Sequence, residues 1–345
     1  MKFLRGISLT GRPTTAMPTV ASTRRRTPSP ASRRSTRRSP SSSRGDTMAK
    51  LEKDAFKKTE AALRFLNGIK LSKTGGASGR DTMSGRATPA RGGRFTIDRG
   101  SPLGSGTFGS VYKGVDTQTG QEVAVKEFRD LADYREEVKN AQALGCMADF
   151  QCLLGAEIVG GTGYIAYRLA NGDVQSLVKR PMRPVVAQNL LMALMRSVAY
   201  LRSKELVHRD IKPDNVLYYG DEPEYIEFSL GDLGSMCSRT EGNSNIPVCT
   251  KKMRTTQAYA PADVAMSYEY EDDNAMKWVD LYGLAATVYY YATGGQIPLF
   301  TRPPTTIPGE MLAPELKEGI LRILQADSYR GASDAYHDLK KKLRL

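Results

Sequence analysis

The chain has 345 residues, 40% of them hydrophobic, and its 50 Lys and Arg against 37 Asp and Glu give a formal net charge of +13. That length suits one large domain or two small ones with tails, and the apolar fraction fits a globular body carrying a polar extension. The excess charge does not mark a nucleic-acid surface on that body. Residues 1–45 hold eleven Lys and Arg and no acid, whereas residues 95–345 hold 28 basic and 32 acidic residues, a difference of −4.

No run of about 18 apolar residues suggests a membrane span, and Met1 to Leu9 lacks the apolar core of a secretory signal. The four cysteines, Cys146, Cys152, Cys237 and Cys249, form no C-x-x-C pair, and there are only two histidines. This speaks against a zinc site and against a disulfide framework. Reduced thiols in a reducing compartment are the expectation, with a redox role for Cys237 and Cys249 as the alternative.

Residues 1–47 are rich in Ser, Thr, Arg and Pro, a composition that cannot offset backbone ordering by burial, so they read as a disordered basic tail. An organelle transit peptide, and an anion- or nucleic-acid-binding arm built on Arg24-Arg25-Arg26, Arg33-Arg34 and Arg37-Arg38, are the alternatives. Thr27-Pro28, Ser29-Pro30 and Ser39-Pro40 are candidate sites of proline-directed phosphorylation, which would lower the tail's charge. Residues 48–71 place Leu51, Ala55, Ala62, Leu66 and Ile69 at roughly helical spacing, as in an amphipathic helix broken near Gly68. A Gly/Ser/Thr-rich linker covers 72–94. From Phe95 the texture is globular, and residues 95–345 read as one domain. Strands over 111–115 and 122–126 flank a turn at 117–120. A helix follows over 131–144, then two strands over 156–169 around Gly160-Gly161, and helices dominate from about 185.

Gly104-Ser105-Gly106-Thr107-Phe108-Gly109 offers unobstructed N–H groups and a close backbone approach to phosphates. The same spacing marks dinucleotide folds, but those lead into a helix. Here Val111 to Val115 continues as a strand, which suits a hairpin lid. In Val123-Ala124-Val125-Lys126 the alternation aims the lysine to one face of a strand, where an ammonium would pair with phosphates. Such a lysine needs a carboxylate to fix it. Glu137 is the candidate because Val138, Ala141 and Leu144 follow it at helical register; Glu136 is the runner-up.

The most specific run is His208-Arg209-Asp210-Ile211-Lys212-Pro213-Asp214-Asn215, and with it the chain resembles the eukaryotic protein kinase family. The resemblance implies a two-lobed α+β fold, with a small β-rich N-lobe and a larger helical C-lobe. It implies ATP and Mg²⁺ as cofactors and protein Ser/Thr hydroxyls as acceptors. Asp210 would be the catalytic base and Lys212 would contact the γ-phosphate. Asn215 and the Asp232 of Asp232-Leu233-Gly234 would hold metal. Leu103, Gly104, Ser105, Gly106, Thr107, Phe108, Gly109, Val111, Ala124 and Lys126 would surround the nucleotide, with a hinge near 166–171. His208 is structural in this family.

Thr256-Gln-Ala-Tyr259-Ala-Pro-Ala-Asp263 resembles the end of an activation segment, with Thr256 against the catalytic Asp and Lys. It departs from the family at Ala262 and at Asp263, where a Glu is usual; Asp263 would pair with Arg330. Trp278-Val-Asp280-Leu-Tyr-Gly283 resembles the central helix of the large lobe, with Asp280 bracing the catalytic loop and Ala285 where Gly is usual. The longer interval from Asn215 to Asp232 suggests a hairpin enlarged at 221–224.

The expected activity is that of a serine/threonine protein kinase. A pseudokinase acting as a binding module, and a kinase-like small-molecule phosphotransferase, are the other readings. The expected partners are protein substrates and an upstream kinase on the tail or on the activation segment, where Ser238, Thr240, Ser244, Thr250 and Thr255 are acceptors near Arg209. Nucleic acid is not expected on the folded domain, nor is a membrane span. The expected location is intracellular, in cytoplasm or nucleus, with an organelle as the alternative.

Overall fold

A computed structural model describes residues 88–89, 93–106, 108–241, 246–299 and 302–345. The tail, the helix read over 48–71, most of the linker, Thr107 and Ser244 lie outside the described residues. By its contacts the chain divides at Lys73, and the described residues all belong to the unit Thr74–Leu345.

The N-terminal part of this unit is an antiparallel sheet in the order β1-β2-β3-β4-β6-β5. Its strands are β1 (Thr88–Pro89), β2 (Phe95–Ser105), β3 (Gly109–Asp116), β4 (Glu122–Phe128), β5 (Leu153–Val159) and β6 (Thr162–Arg168). Phe95, Ile97, Val123, Val125, Tyr164 and Ala166 form a core on one face, as period-2 alternation requires. Helix α1 (Leu131–Leu144) crosses the other face. Asp130 caps it by accepting from the Ala132 N–H, and Gly145, at φ 63°, ends it. Its buried residues Tyr134, Glu137, Ala141 and Leu144 recur at helical spacing, which turns Glu137 inward and leaves Glu136 on the flank.

The larger C-terminal part is helical. After β7 (Gly172–Asp173) and the short α2 (Val174–Leu177) come α3 (Pro184–Ser203), α4 (Ala262–Ala265), α5 (Asp273–Ala292), α6 (Pro314–Leu324) and α7 (Tyr329–Lys342). Helix α5 is buried on all sides from Trp278 to Ala292, the pattern of a core helix. Helix α3 is long and apolar enough to cross a membrane by length and composition alone, although Gln188, Asn189, Arg196 and Ser197 interrupt its apolar run. It packs on α5, with Leu190, Leu191, Leu194, Val198 and Leu201 in the core.

Two small ladders lie between these helices and the sheet. One joins β10 (Glu227–Leu230), β9 (Val216–Tyr219) and β7; the other joins β11 (Cys237–Ser238) to β8 (Leu206–Val207). The β9–β10 hairpin carries the extra residues at 221–224, where a 3-10 turn runs from Pro223 to Tyr225. The fold is thus the α+β, two-lobed arrangement expected, a β-rich lobe followed by a helical one.

The cysteines differ from expectation. All four are bonded, Cys146 to Cys152 and Cys237 to Cys249, with Cα atoms 4.5 and 5.0 Å apart. Sequence spacing could not show the second bond, because a single bridge between Ser238 of β11 and Val248 brings residues twelve apart face to face.

Candidate active site

The run 208–215 forms a loop between β8 and β9, fixed from below by α5. The Asp280 carboxylate accepts the His208 N–H at 2.8 Å and the Arg209 N–H at 2.7 Å. Burial pushes the Asp280 carboxyl up from its usual value, opposed by these two backbone donors and by the Arg209 charge. Gly283 lets the helix approach, since a Cβ there would meet the Ile211 carbonyl oxygen at 2.4 Å. Arg209 stands at φ 71°, a region that costs a non-glycine residue about 1–2 kcal/mol. The Asp280 bond to its N–H and the bond from its Nε to the Ser235 carbonyl (2.7 Å) hold it there. His208 Nδ1 accepts from the Asp210 N–H at 3.3 Å, so Nε2 carries the proton and donates to the Gly231 carbonyl at 2.9 Å. The ring therefore ties this loop to the strand that leads into Asp232.

Every Asp210 carboxylate oxygen has partners. Oδ1 accepts from the Thr256 N–H (2.9 Å) and Oγ1 (2.7 Å); Oδ2 accepts from Asn215 Nδ2 (3.0 Å) and lies 2.9 Å from Lys212 Nζ. Lys212 Nζ also donates to Thr256 Oγ1 at 2.8 Å. Three predicted site residues thus converge on the carboxylate of a fourth, and their bonds fix its two oxygens in a single orientation.

A second cluster lies under the glycine-rich hairpin. Lys126 Nζ is 2.6 Å from Glu137 Oε2 and 2.7 Å from Asp232 Oδ1. Burial works against the Lys126 charge, but the two carboxylates overcome it and hold the ammonium above its usual value. Burial pushes the Glu137 carboxyl up, with Lys126 opposing. For Asp232 burial acts upward too, and the Lys126 charge and hydrogen bond overcome it, so its carboxyl stays below the usual value. Asp232 sits at φ 51°, in the left-handed region, and Leu233 beside it is fully buried, the apolar plug its position implies.

Three contacts of this cluster were not legible in the sequence. Tyr167 Oη donates to Glu137 Oε1 at 2.8 Å. Asn140, one turn beyond Glu137, donates to the Leu233 and Met236 carbonyls at 2.8 and 3.0 Å, tying α1 to the Asp232 segment. Arg254 reaches Asp133 and Glu136 of α1 at 3.9 and 3.8 Å and stacks 5.2 Å from the Phe108 ring, so the segment before Thr256 touches both α1 and the hairpin.

The hairpin over this cluster is formed by β2 and β3, with Leu103, Gly104 and Ser105 at the end of β2, and Gly109 and Val111 at the start of β3. A Cβ at Gly104 or Gly106 would meet nothing within 4 Å, whereas one at Gly109 would meet the Glu127 carbonyl oxygen at 2.0 Å. Packing therefore explains Gly109 but not the first two glycines, whose open side leaves room for a ligand's close approach. Ala124 faces inward on β4 beside this space.

Among the described residues no cluster of three or more His, Cys, Asp or Glu could hold a metal unaided. Asn215 Nδ2 donates to the Asp210 backbone and side chain, which points its amide oxygen elsewhere, and Asp232 Oδ2 has no partner among the described residues. Two hard oxygens fit a cation such as Mg²⁺ that takes its other ligands from phosphates and water.

Asp263 and Arg330 do not pair. Both are exposed and line a cavity of about 400 Å3 beside Trp278, with no ion pair between them. Asp is one methylene shorter than Glu, and its backbone carbonyl instead receives Ser267 Oγ at 2.7 Å.

The protein kinase domain model matches residues 97–307. Among curated proteins, mitogen-activated protein kinase 4 of Arabidopsis thaliana is 26% identical over 153 residues, 41% of this chain and 40% of its own length. Cyclin-dependent kinase D-1 of Oryza sativa subsp. japonica is 29% identical over 143 residues, 38% of this chain and 32% of its own. Probable cyclin-dependent kinase 10 of Dictyostelium discoideum is 31% identical over 140 residues, 36% and 37% of the two chains. The matched stretch thus spans two fifths or less of each relative. The family model covers more than half of this chain, with the Asp210 loop, the Lys126 cluster and the glycine-rich hairpin inside it, and the chain belongs to the protein kinase family.

Proposed function

We propose that this protein is a serine/threonine kinase that transfers the γ-phosphate of ATP to protein hydroxyls. The observation that carries this reading is the double anchoring of Asp210, by Thr256 on one oxygen and by Asn215 and Lys212 on the other. A carboxylate so held can accept the proton of an incoming Ser or Thr hydroxyl. The Lys212–Thr256 bond places an ammonium beside that acceptor position. Lys126, held charged between Glu137 and Asp232, supplies a cation to the nucleotide phosphates. When bound, Mg²⁺ would neutralise phosphate charge from Asn215 and Asp232. Phosphoryl transfer of this kind is mainly positioning and charge stabilisation, which is what these residues provide.

The curated relatives named as cyclin-dependent and mitogen-activated kinases support protein acceptors. Arg209 Nη1 is buried without a partner among the described residues, which supports an acidic group reaching it from the activation segment. Of the acceptors there, Ser238 is fully buried whereas Thr240 and Thr250 are exposed, so these two threonines are the stronger candidates.

The test is incubation of the full chain with γ-labelled ATP, Mg²⁺ and a degenerate Ser/Thr peptide library, beside Asp210→Asn and Lys126→Met. Labelled Ser or Thr peptide with the parent chain and not with the variants is the expected result. Nucleotide binding without transfer under any condition would make the protein a pseudokinase.

A further inference from the structure

The bond between Cys237 and Cys249 lies outside the phosphotransfer cluster, yet both of its ends are wired to it. Cys237 pairs with Val207 in the β11–β8 ladder, one residue before His208. On the other side, the Ser238 N–H donates to the Pro247 carbonyl and the Cys249 N–H to the Ser238 carbonyl, both at 2.8 Å. From Cys249 the chain runs on to Tyr270's partner Lys251, to Arg254 against α1, and to Thr256 on Asp210. The covalent bridge joins residues twelve apart in sequence, and it fixes where the segment carrying Arg254 and Thr256 begins.

The surroundings of the two sulfurs are unequal. Cys237 is 1% exposed, and Cys249 is half-buried at the surface of its small apolar cluster with Ala260, Val264 and Tyr270. An incoming thiolate therefore has access at Cys249 and not at Cys237.

From this geometry we infer that the Cys237–Cys249 bridge is a redox modification site, opened by a dithiol and controlling how firmly the segment to Thr256 is held. A dithiol thiolate attacks Cys249 Sγ, forming a mixed disulfide and releasing the Cys237 thiolate, which takes up a proton. The second thiol of the reagent then displaces Cys249, so the reagent leaves as its own disulfide and the protein gains two thiols. Two electrons and two protons pass from the dithiol to the protein. In the bridged state Thr256 is anchored on Asp210. In the dithiol state the hydrogen bonds of Ser238 and Cys249 must hold the segment without the covalent closure, and the acceptor side loosens.

The activity arm of the test rests on the kinase reading; the exchange arm does not. The full chain is equilibrated in ratios of oxidised to reduced dithiothreitol, and amide exchange is followed by mass spectrometry in peptides covering Ser238 and 246–256. Reduction is expected to speed exchange there by about tenfold or more, as loss of a closed loop allows. It is also expected to raise the peptide-substrate KM severalfold. Cys249→Ser should show the fast exchange without reductant and no response to it, and Cys146→Ser with Cys152→Ser should keep the full response. In Cys237→Ser, which frees the Cys249 thiol, glutathione disulfide should leave one glutathionyl group on Cys249 and release one glutathione. Unchanged exchange on verified reduction, or an equal response in Cys249→Ser, overturns the proposal. Absent phosphotransfer in both redox states, with the exchange change present, would overturn the kinase reading and leave the redox site standing.

Discussion

Replacing Lys126 by Met tests the buried triad in a way that separates structure from chemistry. The Lys126 side chain is 10% exposed and Glu137 1%, and Met keeps the stem while removing the charge. Removing one partner of a buried ion pair costs about 3–5 kcal/mol, because the other is left desolvated and unpaired. Glu137 retains the Tyr167 hydroxyl, and Asp232 reaches solvent with 26% of its side chain, so the lower end, about 3 kcal/mol, applies here. The pH dependence has a definite sign. Burial already pushes Glu137 up in the parent, and without Lys126 it rises further. A carboxyl raised in the folded state binds more protons there than in the unfolded chain, so stability falls as pH climbs through that window. Urea midpoints of Lys126→Met should thus trail the parent more at pH 8 than at pH 5, and Glu137→Gln added to the variant should recover much of the loss. A deficit under about 1 kcal/mol, flat with pH and untouched by Glu137→Gln, would refute the reasoning, because it would place the pair in solvent-like surroundings.

Asp280→Ala leaves the His208 and Arg209 N–H groups buried and unpaired, at about 1–3 kcal/mol each; thermal unfolding should show the loss, and phosphotransfer should fall with it. Arg254→Gln removes a charged contact and a ring contact worth together roughly 1 kcal/mol, so steady-state kinetics should show the ATP KM rising about fivefold with the fold intact. Asp116, hydrogen-bonded by Arg94 at 2.6 and 2.9 Å, has its carboxyl held down to about 2. Its contribution is present above the usual carboxylate value near 4 and is lost as pH falls toward 2. Asp116→Asn should therefore destabilise the protein at neutral pH and flatten that part of its acid-unfolding curve.

What the sequence showed and what it hid follow from the range of the interactions. Helix 131–144 was readable because Tyr134, Ala141 and Leu144 repeat locally, and the same register separates the inward Glu137 from Glu136. The turns at 117–120 and 160–161 carry their own glycines, and Gly120, Gly160 and Gly161 all have positive φ. The loop 208–215 was readable as a motif, since its residues are contiguous. Asn140 and Tyr167 were missed because their partners lie 93, 96 and 30 residues away, and an Asn or Tyr at those places looks like any other polar core residue. The Arg254 contact with α1 was hidden because it depends on how the segment before Thr256 meets that helix. The cysteine pairing depends on a two-residue strand, β11, too short to leave a periodic trace. The Asp263–Arg330 pair failed for a reason visible in the sequence, the missing methylene, and a cavity stands in its place.

The central claim is that Asp210 is the base of a working site. Its most direct test is single-turnover phosphotransfer from ATP to a Ser peptide by the full chain and by Asp210→Asn, with nucleotide binding measured calorimetrically on both. General-base catalysis contributes roughly 10²–10⁴-fold, so transfer should fall by that order while the ATP Kd stays unchanged. Transfer by Asp210→Asn at the parent rate would contradict the account.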